Sequence, residues 1–131
     1  MRKTILALLM LACLIAIPSL AQEGLKPGDL ISGRLRFFQH RHPNGTWIDV
    51  YQIVADHPRN FAEVDEFCDP NNPPKTFHVV VLNDVAKKRR LDRMLGKTVS
   101  VVGDAFFCSE TAWHVGDAVL GQWHFPEGNR R

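Results

Sequence analysis

The order of the regular elements along the chain constrains its fold more than any other sequence feature. The strand-like runs have the two-residue period of half-buried strands, and they lie at 29–38, 47–54, 77–81, 99–107 and 112–125. A charged helical segment at about 84–95 separates the third run from the fourth. We therefore predict a mainly β domain with five strands and one helix.

Three strands, a helix and two more strands is the chain order of a five-stranded, OB-like Greek-key barrel. Asn83 or Asp84 can cap the start of the helix, and Gly96 can end it in a left-handed conformation. The alternation of the second run slips near Tyr51, which predicts a bulge there. Gly116 is expected to bend the fifth strand. The helix is predicted to cover one end of the barrel.

Residues 1–21 have the composition of a cleavable export signal. Arg2 and Lys3 precede an apolar run, and a Ser-Leu-Ala sequence that ends at Ala21 follows it. The apolar run is shorter than the roughly 20 residues that a membrane-spanning helix needs. We predict cleavage near Ala21, a periplasmic or secreted protein, and no membrane span in the mature chain. A lipoprotein attached through Cys13 is the alternative.

The mature chain is predicted to form one barrel domain at 22–126, followed by a frayed tail at 127–131. Loss of Arg2 and Lys3 with the signal reduces the 16 basic residues to 14, against 14 acidic residues. Proteins that bind nucleic acids normally carry a clear basic excess. The balanced charge therefore argues against a nucleic-acid partner, although single-stranded nucleic acids are common ligands of OB folds.

Two cysteines, Cys68 and Cys108, remain after signal removal. In an exported protein such a pair most simply forms one disulfide, which would tie down the long proline-rich loop at 56–75. A redox pair or a pair of metal ligands is the alternative, but the Cys-x-x-Cys spacing is absent. We therefore predict a structural bridge.

The sequence contains none of the usual catalytic signatures, such as a Gly-x-Ser-x-Gly elbow, a phosphate loop or His-Glu-x-x-His. His40 and His42 lie two residues apart and could share a metal ion on one strand face. No third ligand is identifiable from spacing, so we predict no metal and no cofactor. The basic run at 87–90 is interpreted as a solvated helix face.

The densest group of potentially functional side chains lies at 111–117. A tryptophan face, a histidine and an aspartate together can recognise a polar ligand. The candidate binding residues, including possible neighbours on the second strand, are Trp47, Tyr51, Thr111, Trp113, His114 and Asp117. The structural interpretation, which we favour for Trp113, is that Trp113 and Trp123 fill the barrel core and Asp117 fixes a turn through its own backbone. The segment joins a site on strands two and three only if its loop folds toward them.

The last third of the chain resembles a family of exported bacterial OB-fold proteins of unknown function. The resemblance rests on the run 95–103, on Phe106-Phe107 and on Thr111-Ala112-Trp113-His114, with weaker support from 51–54. It implies a periplasmic OB-like domain and supplies no activity. The family tends to have histidine at the position of Trp113, so a role that needs paired histidines does not carry over.

These observations favour an exported, non-enzymatic binding module that recognises a small ligand, a glycan or a periplasmic protein. An inhibitor or immunity-type protein, with the 56–75 loop blocking a partner enzyme, is one alternative. A small enzyme that uses His114 and Asp117 as an acid-base pair is another. The fold alone does not decide among these functions.

Overall fold

The computed structural model describes residues 23–128 of the 131-residue chain. The predicted export signal, its cleavage site and the last three residues lie outside this range. The elements are β1 (Leu30–Arg41), β2 (Trp47–Ala55), β3 (Thr76–Val79), α1 (Val85–Met94), β4 (Thr98–Cys108) and β5 (Ala118–His124). The prediction of a mainly β fold with five strands and one helix is confirmed.

The five strands form one sheet in the order β1-β2-β3-β5-β4, and β4 pairs with β1, so the sheet closes into a barrel. The pairs are antiparallel except for β3 and β5, which run parallel. In the chain, α1 follows β3 and precedes β4. Closure leaves no continuous free sheet edge, although β3 is much shorter than its neighbour β2.

The barrel interior is filled by aliphatic and aromatic side chains that alternate along the strands. Leu35 of β1 lies opposite Ile53 of β2, which in turn lies opposite Phe77 of β3. The fully buried members of this core include Leu25, Ile31, Leu35, Ile53, Phe77, Val79, Leu91, Val99, Val101 and Leu120. The two-residue period of the sequence therefore reports the inner face of the barrel correctly along 31–35 of β1 and 99–103 of β4. Beyond Gly103 the register shifts, and Phe106 packs against the core while Phe107 contacts His114 of the following loop.

The helix begins and ends as its sequence predicts. Asp84 is the N-cap, and its carboxylate accepts a hydrogen bond of 2.9 Å from the Lys87 backbone N–H. Gly96 has a φ of +77°, the left-handed conformation that glycine adopts without a steric penalty. Leu91 is the fully buried residue of the helix and belongs to the barrel core. Met94 is partly buried and packs against the same core, so the apolar attachment of the helix to the barrel consists of Leu91 and Met94.

The basic run at 87–90 is mostly solvated, as predicted, since Lys88, Arg89 and Arg90 are exposed, but two of its cations also contact aromatic rings. The Lys87 Nζ lies 4.6 Å from the centroid of the Trp123 ring, and it donates a hydrogen bond of 2.7 Å to the Trp123 carbonyl. The Arg90 guanidinium lies 3.8 Å from the Phe125 ring centroid. These cations cover aromatic rings of the barrel, because long basic side chains bury their stems while their charged groups stay near water.

Two strand predictions were wrong. The fifth strand begins at Ala118, and residues 112–117 form a loop instead of strand. The bulge expected near Tyr51 is absent, since β2 pairs with β1 in unbroken register from 47 to 55. The irregular pairing lies between β4 and β5, at Gly103 to Phe106.

The long loop between β2 and β3 is anchored at several points. A disulfide joins Cys68 to Cys108, with a Cα–Cα distance of 5.3 Å. Near the start of the loop, Leu25 pairs with Phe61 in an isolated parallel bridge. Because the loop is fastened both to β4 and to the N-terminal segment, the prediction that it is tied down is confirmed.

Candidate functional site

The loop between β4 and β5, residues 109–117, covers the outer face of β2 and β3. This contact explains why the alternation of β2 slips. Along β2, Val50 and Gln52 point away from the barrel interior, yet both are buried. On β3 the same applies to His78, which is only 7% exposed. Both faces of this part of the sheet are therefore covered, and a two-residue period is no longer expected.

Two side chains of the barrel hold the loop through the backbone of Val115. The Gln52 Nε2 donates a hydrogen bond of 2.8 Å to the Val115 carbonyl. The Val115 N–H donates one of 3.0 Å to the His78 Nδ1. In turn, the Arg36 Nε donates a bond of 2.7 Å to the Gln52 Oε1. This network satisfies polar groups that would otherwise be buried at a cost.

Gly116 is required where the loop meets the sheet. Its φ is +141°, a conformation that other residues rarely adopt, and a Cβ built there would lie 2.9 Å from the Gln52 Nε2. The Gly116 carbonyl accepts a hydrogen bond of 2.6 Å from the Ser109 hydroxyl. Gly116, which was expected to bend the fifth strand, therefore lies in the loop, where its backbone packs closely against the Gln52 side chain.

Burial, and to a smaller extent the nearby His114, lower the pKa of His78 to about 4. Because its Nδ1 accepts a hydrogen bond, the neutral ring carries its proton on Nε2. Protonation of Nδ1 would remove this acceptor and place a charge under the loop. His78 is therefore a structural histidine that stays neutral at physiological pH.

We expect stability to fall as the pH falls from about 6.5 toward 4. In that window the His78 imidazole is protonated in the unfolded state but stays neutral in the native state. The free energy of unfolding therefore rises with pH. After allowance for solvent screening, the effect should be about 2 kcal/mol. In His78→Asn, the amide oxygen can still accept from Val115, but it does not titrate. Urea unfolding across this window should show a shallower pH dependence than in the wild type.

The matched control is His57→Asn, which changes an exposed histidine of the long loop. It should keep the pH dependence of the wild type. An unchanged pH slope in His78→Asn would contradict the assignment of this titration to His78.

Asp117 fastens the end of the loop to β3. Its Oδ2 accepts backbone hydrogen bonds of 2.9 Å from Lys75 and 3.0 Å from Thr76, while its own N–H donates to the Thr76 hydroxyl. His114 accepts a bond of 3.3 Å at Nδ1 from the Glu110 N–H. Within residues 23–128, no hydrogen bond joins His114 to Asp117. The geometry therefore does not support an acid-base pair of these two residues.

We expect Asp117→Ala to lower the free energy of unfolding by about 1–2 kcal/mol, because two charge-assisted bonds to backbone N–H groups are lost and water replaces them in part. Asp117→Asn should fall between this variant and the wild type. Asp56→Ala, at an exposed aspartate near the start of the long loop, is the control. Chemical denaturation measures the free energy of unfolding of all three variants. Equal stability of Asp117→Ala and the control would show that the hydrogen bonds from Lys75 and Thr76 to Asp117 do not stabilise the fold.

Trp113 is not a core residue, because its side chain is 46% exposed. It stacks on His42 from the tip of the β1–β2 hairpin, with ring centroids 3.8 Å apart and an interplanar angle of 18°. Trp123, the other half of the core interpretation, is buried. The hairpin tip and the 109–117 loop therefore meet near the first residues of β2. The loop thus folds toward β2 and β3, which is the condition for its side chains to join a site on these strands. His42 is thus placed as a partner of Trp113.

A cleft opens beside this contact, where β2 runs on past the end of β3. Its volume is about 410 Å³. The residues that define this β2–β3 cleft include Ile48, Asp49, Tyr51, Val81, Leu82, Lys88, Trp113 and His114. The walls are mostly apolar, and Leu82 is 79% exposed although it is a leucine.

One wall of the cleft carries a polar triad. The Tyr51 hydroxyl donates a hydrogen bond to Asp92, and the Lys88 Nζ lies 3.0 Å from the other oxygen of the same carboxylate. Burial and then the bond to Asp92 raise the pKa of Tyr51. The contacts with Tyr51 and then Asp92 raise the pKa of Lys88 to about 12. The triad therefore offers a neutral phenol and a fixed cation, and neither is a nucleophile at neutral pH.

The cleft brings together Tyr51, Trp113 and His114 of the six candidate residues. Trp47 lies at the start of β2, where the Arg41 guanidinium is 5.9 Å from its ring centroid. Thr111 accepts a hydrogen bond from the Trp113 N–H within its own loop. Three further residues were missed, namely Leu82, Lys88 and His78. Of these three, only Leu82 had a signal in the sequence, because it is an apolar residue next to the predicted helix cap.

A larger hollow of about 480 Å³ lies elsewhere, between the N-terminal segment and the long loop. Leu25, Val64 and Phe106 are among its lining residues. It includes none of the candidate residues, and its polar side chains are the exposed Lys26, Glu63 and Asp65. The β2–β3 cleft is the better candidate because aromatic and polar groups from three elements converge on it.

Within residues 23–128, His40 and His42 do not belong to a grouping of three or more potential metal ligands. The metal-ligand grouping found there is Asp65 with Cys68 and Cys108, and the two sulfurs of that grouping are joined in the disulfide. In the same range, no helix is long and apolar enough to cross a membrane. Comparison with protein-family models, with curated proteins and with solved structures finds no match to this chain.

Proposed function

We propose that this protein is an exported binding module on an OB-fold barrel, and that its ligand lies in the β2–β3 cleft. The strand order β1-β2-β3-β5-β4 with β4 returning to β1 supports the OB assignment. Export is supported by the signal-like segment 1–21 and by the disulfide. The resemblance of the last third of the chain to exported bacterial OB-fold proteins agrees with both.

The observation that carries the proposal is the convergence of the 109–117 loop, β2 and the helix on one cleft. OB domains commonly bind on the face of strands two and three and in the flanking loops. Here the 109–117 loop covers most of that face, so the accessible part of it is the cleft beyond the end of β3. Trp113 and Leu82 supply exposed apolar surface there, while Tyr51 and Lys88 supply polar groups.

Binding is favoured over catalysis by the chemistry of the same residues. The Tyr51 O–H is donated to Asp92 and Lys88 holds its proton, so Tyr51 offers a ligand an acceptor oxygen and Lys88 offers N–H donors. Asp117 is occupied by the backbone of β3. A ligand held by Tyr51 and Lys88 would gain orientation from them, and neither group is poised for proton abstraction.

An inhibitor-type protein is the second candidate, and one observation favours it. The loop between β2 and β3 is tied by the disulfide, yet it exposes Val64 and Phe67. A pre-organised loop with exposed apolar side chains loses little entropy when it enters a partner's active site. Val64→Ser with Phe67→Ser would abolish such binding and leave binding in the cleft unchanged.

The test is a binding screen of the protein purified from the periplasm of an expression host. Ligand-detected NMR would use soluble metabolites, glycan fragments and short peptides as probes. For any hit, Trp113→Ala and Leu82→Ser should weaken binding about tenfold or more, since each removes apolar contact area from the cleft. Leu30→Ser is the control, because Leu30 is exposed on β1 outside the cleft. Equal affinity in all these variants would show that the cleft is not the site.

A further inference from the structure

The pairing between β2 and β3 stops before β2 does. β1 pairs with β2 over all of 47–55, whereas β3 pairs with β2 only over 51–54. The last rung joins Tyr51 to Val79, and in the same register the next would join Asp49 to Val81. That rung is absent, because after Val79 the chain follows β5, where the Val80 N–H donates to the Leu120 carbonyl at 3.1 Å.

The backbone groups left without a strand can be assigned from the register. The Ala55 N–H donates to the Lys75 carbonyl, so odd-numbered residues of β2 direct their N–H and C=O groups toward β3. On the other side, the His42 N–H donates to the Thr46 carbonyl, so even-numbered positions face β1. The N–H and C=O of Asp49 therefore face the β2–β3 cleft. Across residues 23–128, no backbone hydrogen bond from outside the strands reaches them.

We propose that the cleft binds an extended peptide segment of another protein, which adds as a strand to the free edge of β2. This inference rests on the proposed function and names the class of its ligand. The peptide backbone would bond to the N–H and C=O of Asp49, the missing rung, and continue along the unpaired stretch 47–50. At about 3.4 Å per residue this stretch is about 13 Å long, enough for a short strand.

The shape of the cleft favours a single strand over a second folded copy of this chain. The free edge lies in a recess, with Trp113 and His114 on one side and Tyr51 and Lys88 on the other. A narrow chain can enter between these walls, but the edge of another barrel would bring its neighbouring strands into contact with them. Leu82 and Trp113 offer exposed apolar surface for alternate side chains of the strand.

Charge supplies a further preference. The helix beside the cleft carries five cations, at 87–90 and at Arg93, against two carboxylates at Asp84 and Asp92. Lys88, the cleft residue among these, is paired with Asp92 across 3.0 Å, and Asp49 also lines the cleft. The cation excess of the helix as a whole therefore favours a peptide whose apolar residues are followed by a carboxylate on the helix side of the cleft.

The test begins with selection of linear octapeptides from a random displayed library on the purified protein. The strongest binder is then synthesised with one backbone nitrogen methylated at a time. Strand addition predicts a loss of about tenfold in affinity at alternate positions and little change at the positions between, because only every second N–H bonds to β2. Equal tolerance at every position would overturn the proposal, as would failure to select any peptide.

Asp49→Pro tests the same bond from the protein side. Proline removes the N–H that faces the cleft and leaves the ladder to β1 intact, and edge positions tolerate proline. We expect about tenfold weaker binding, whereas Asp49→Ala, which keeps the N–H, should bind within about twofold of the wild type. If Asp49→Pro does not fold, as judged by circular dichroism, the methylated peptides on the wild-type protein decide the question.

The outcomes separate this inference from the proposed function. A metabolite or glycan whose affinity falls in Trp113→Ala, with no peptide selected, would overturn the strand-addition proposal and leave the cleft as the site. A peptide that binds equally well to Trp113→Ala, Leu82→Ser and Asp49→Pro would overturn both.

Discussion

Trp123→Ala is expected to lower the free energy of unfolding by about 3–5 kcal/mol, the usual cost of emptying a buried aromatic site. Trp123 is only 3% exposed, and its Nε1 donates a hydrogen bond of 2.8 Å to the Val80 carbonyl. Its ring also packs edge-on against Phe125 and beneath Lys87. Urea denaturation monitored by far-ultraviolet circular dichroism measures the change without relying on tryptophan fluorescence.

Trp113→Ala is the matched control for this prediction. Its half-exposed ring contributes one stack on His42, so the loss should be at most about 1.5 kcal/mol. A loss in Trp113→Ala as large as that in Trp123→Ala would mean that Trp113 is a core residue after all. The comparison also tells whether a binding defect of Trp113→Ala is separable from unfolding.

Removal of the disulfide is expected to cost about 4 kcal/mol. Cys68 and Cys108 are 40 residues apart in sequence, and a bridge that closes a loop of this length restricts the unfolded chain by about that amount. The variant Cys68→Ser with Cys108→Ser should unfold at a correspondingly lower urea concentration. The wild-type protein with its disulfide reduced is the control, and it should lose a similar amount.

A loss below about 1 kcal/mol in both the variant and the reduced protein would contradict this prediction. It would mean that the pairing of Leu25 with Phe61, together with the hydrogen bonds to Asp117, holds the long loop without help from the disulfide.

The elements that the sequence predicts well are those in which one face meets the core and the other meets water. The first halves of β1 and β4 alternate cleanly for this reason, and the ends of α1 are marked by the capping carboxylate of Asp84 and the left-handed backbone of Gly96, which both act locally. The disulfide was predictable because only two cysteines remain after the signal-like segment. Local chemistry and one-sided burial are both visible in a single sequence.

The elements that the sequence does not predict depend on contacts between distant segments. β2 loses its alternation because its outward-facing Val50 and Gln52 are buried, and the residue of the 109–117 loop that binds Gln52, Val115, lies 63 residues further along the chain. The same loop was mistaken for the start of β5, since its apolar residues resemble a strand. The cleft itself arises from the early end of β3, which no local signal marks.

The way in which the β4–β5 loop is held has a consequence for motion. Apart from Asp117 and the stack of Trp113 on His42, its attachment consists mainly of side-chain bonds from Gln52 and His78 to the backbone of Val115, and not of strand pairing. Such a segment can detach while the barrel ladders stay closed, as a cooperative unit less stable than the whole domain. Amide protons of the loop would then exchange with solvent faster than those of the barrel strands. Detachment would uncover the outer face of β2 and β3, so the surface area that the barrel offers to a partner depends on the position of one short loop.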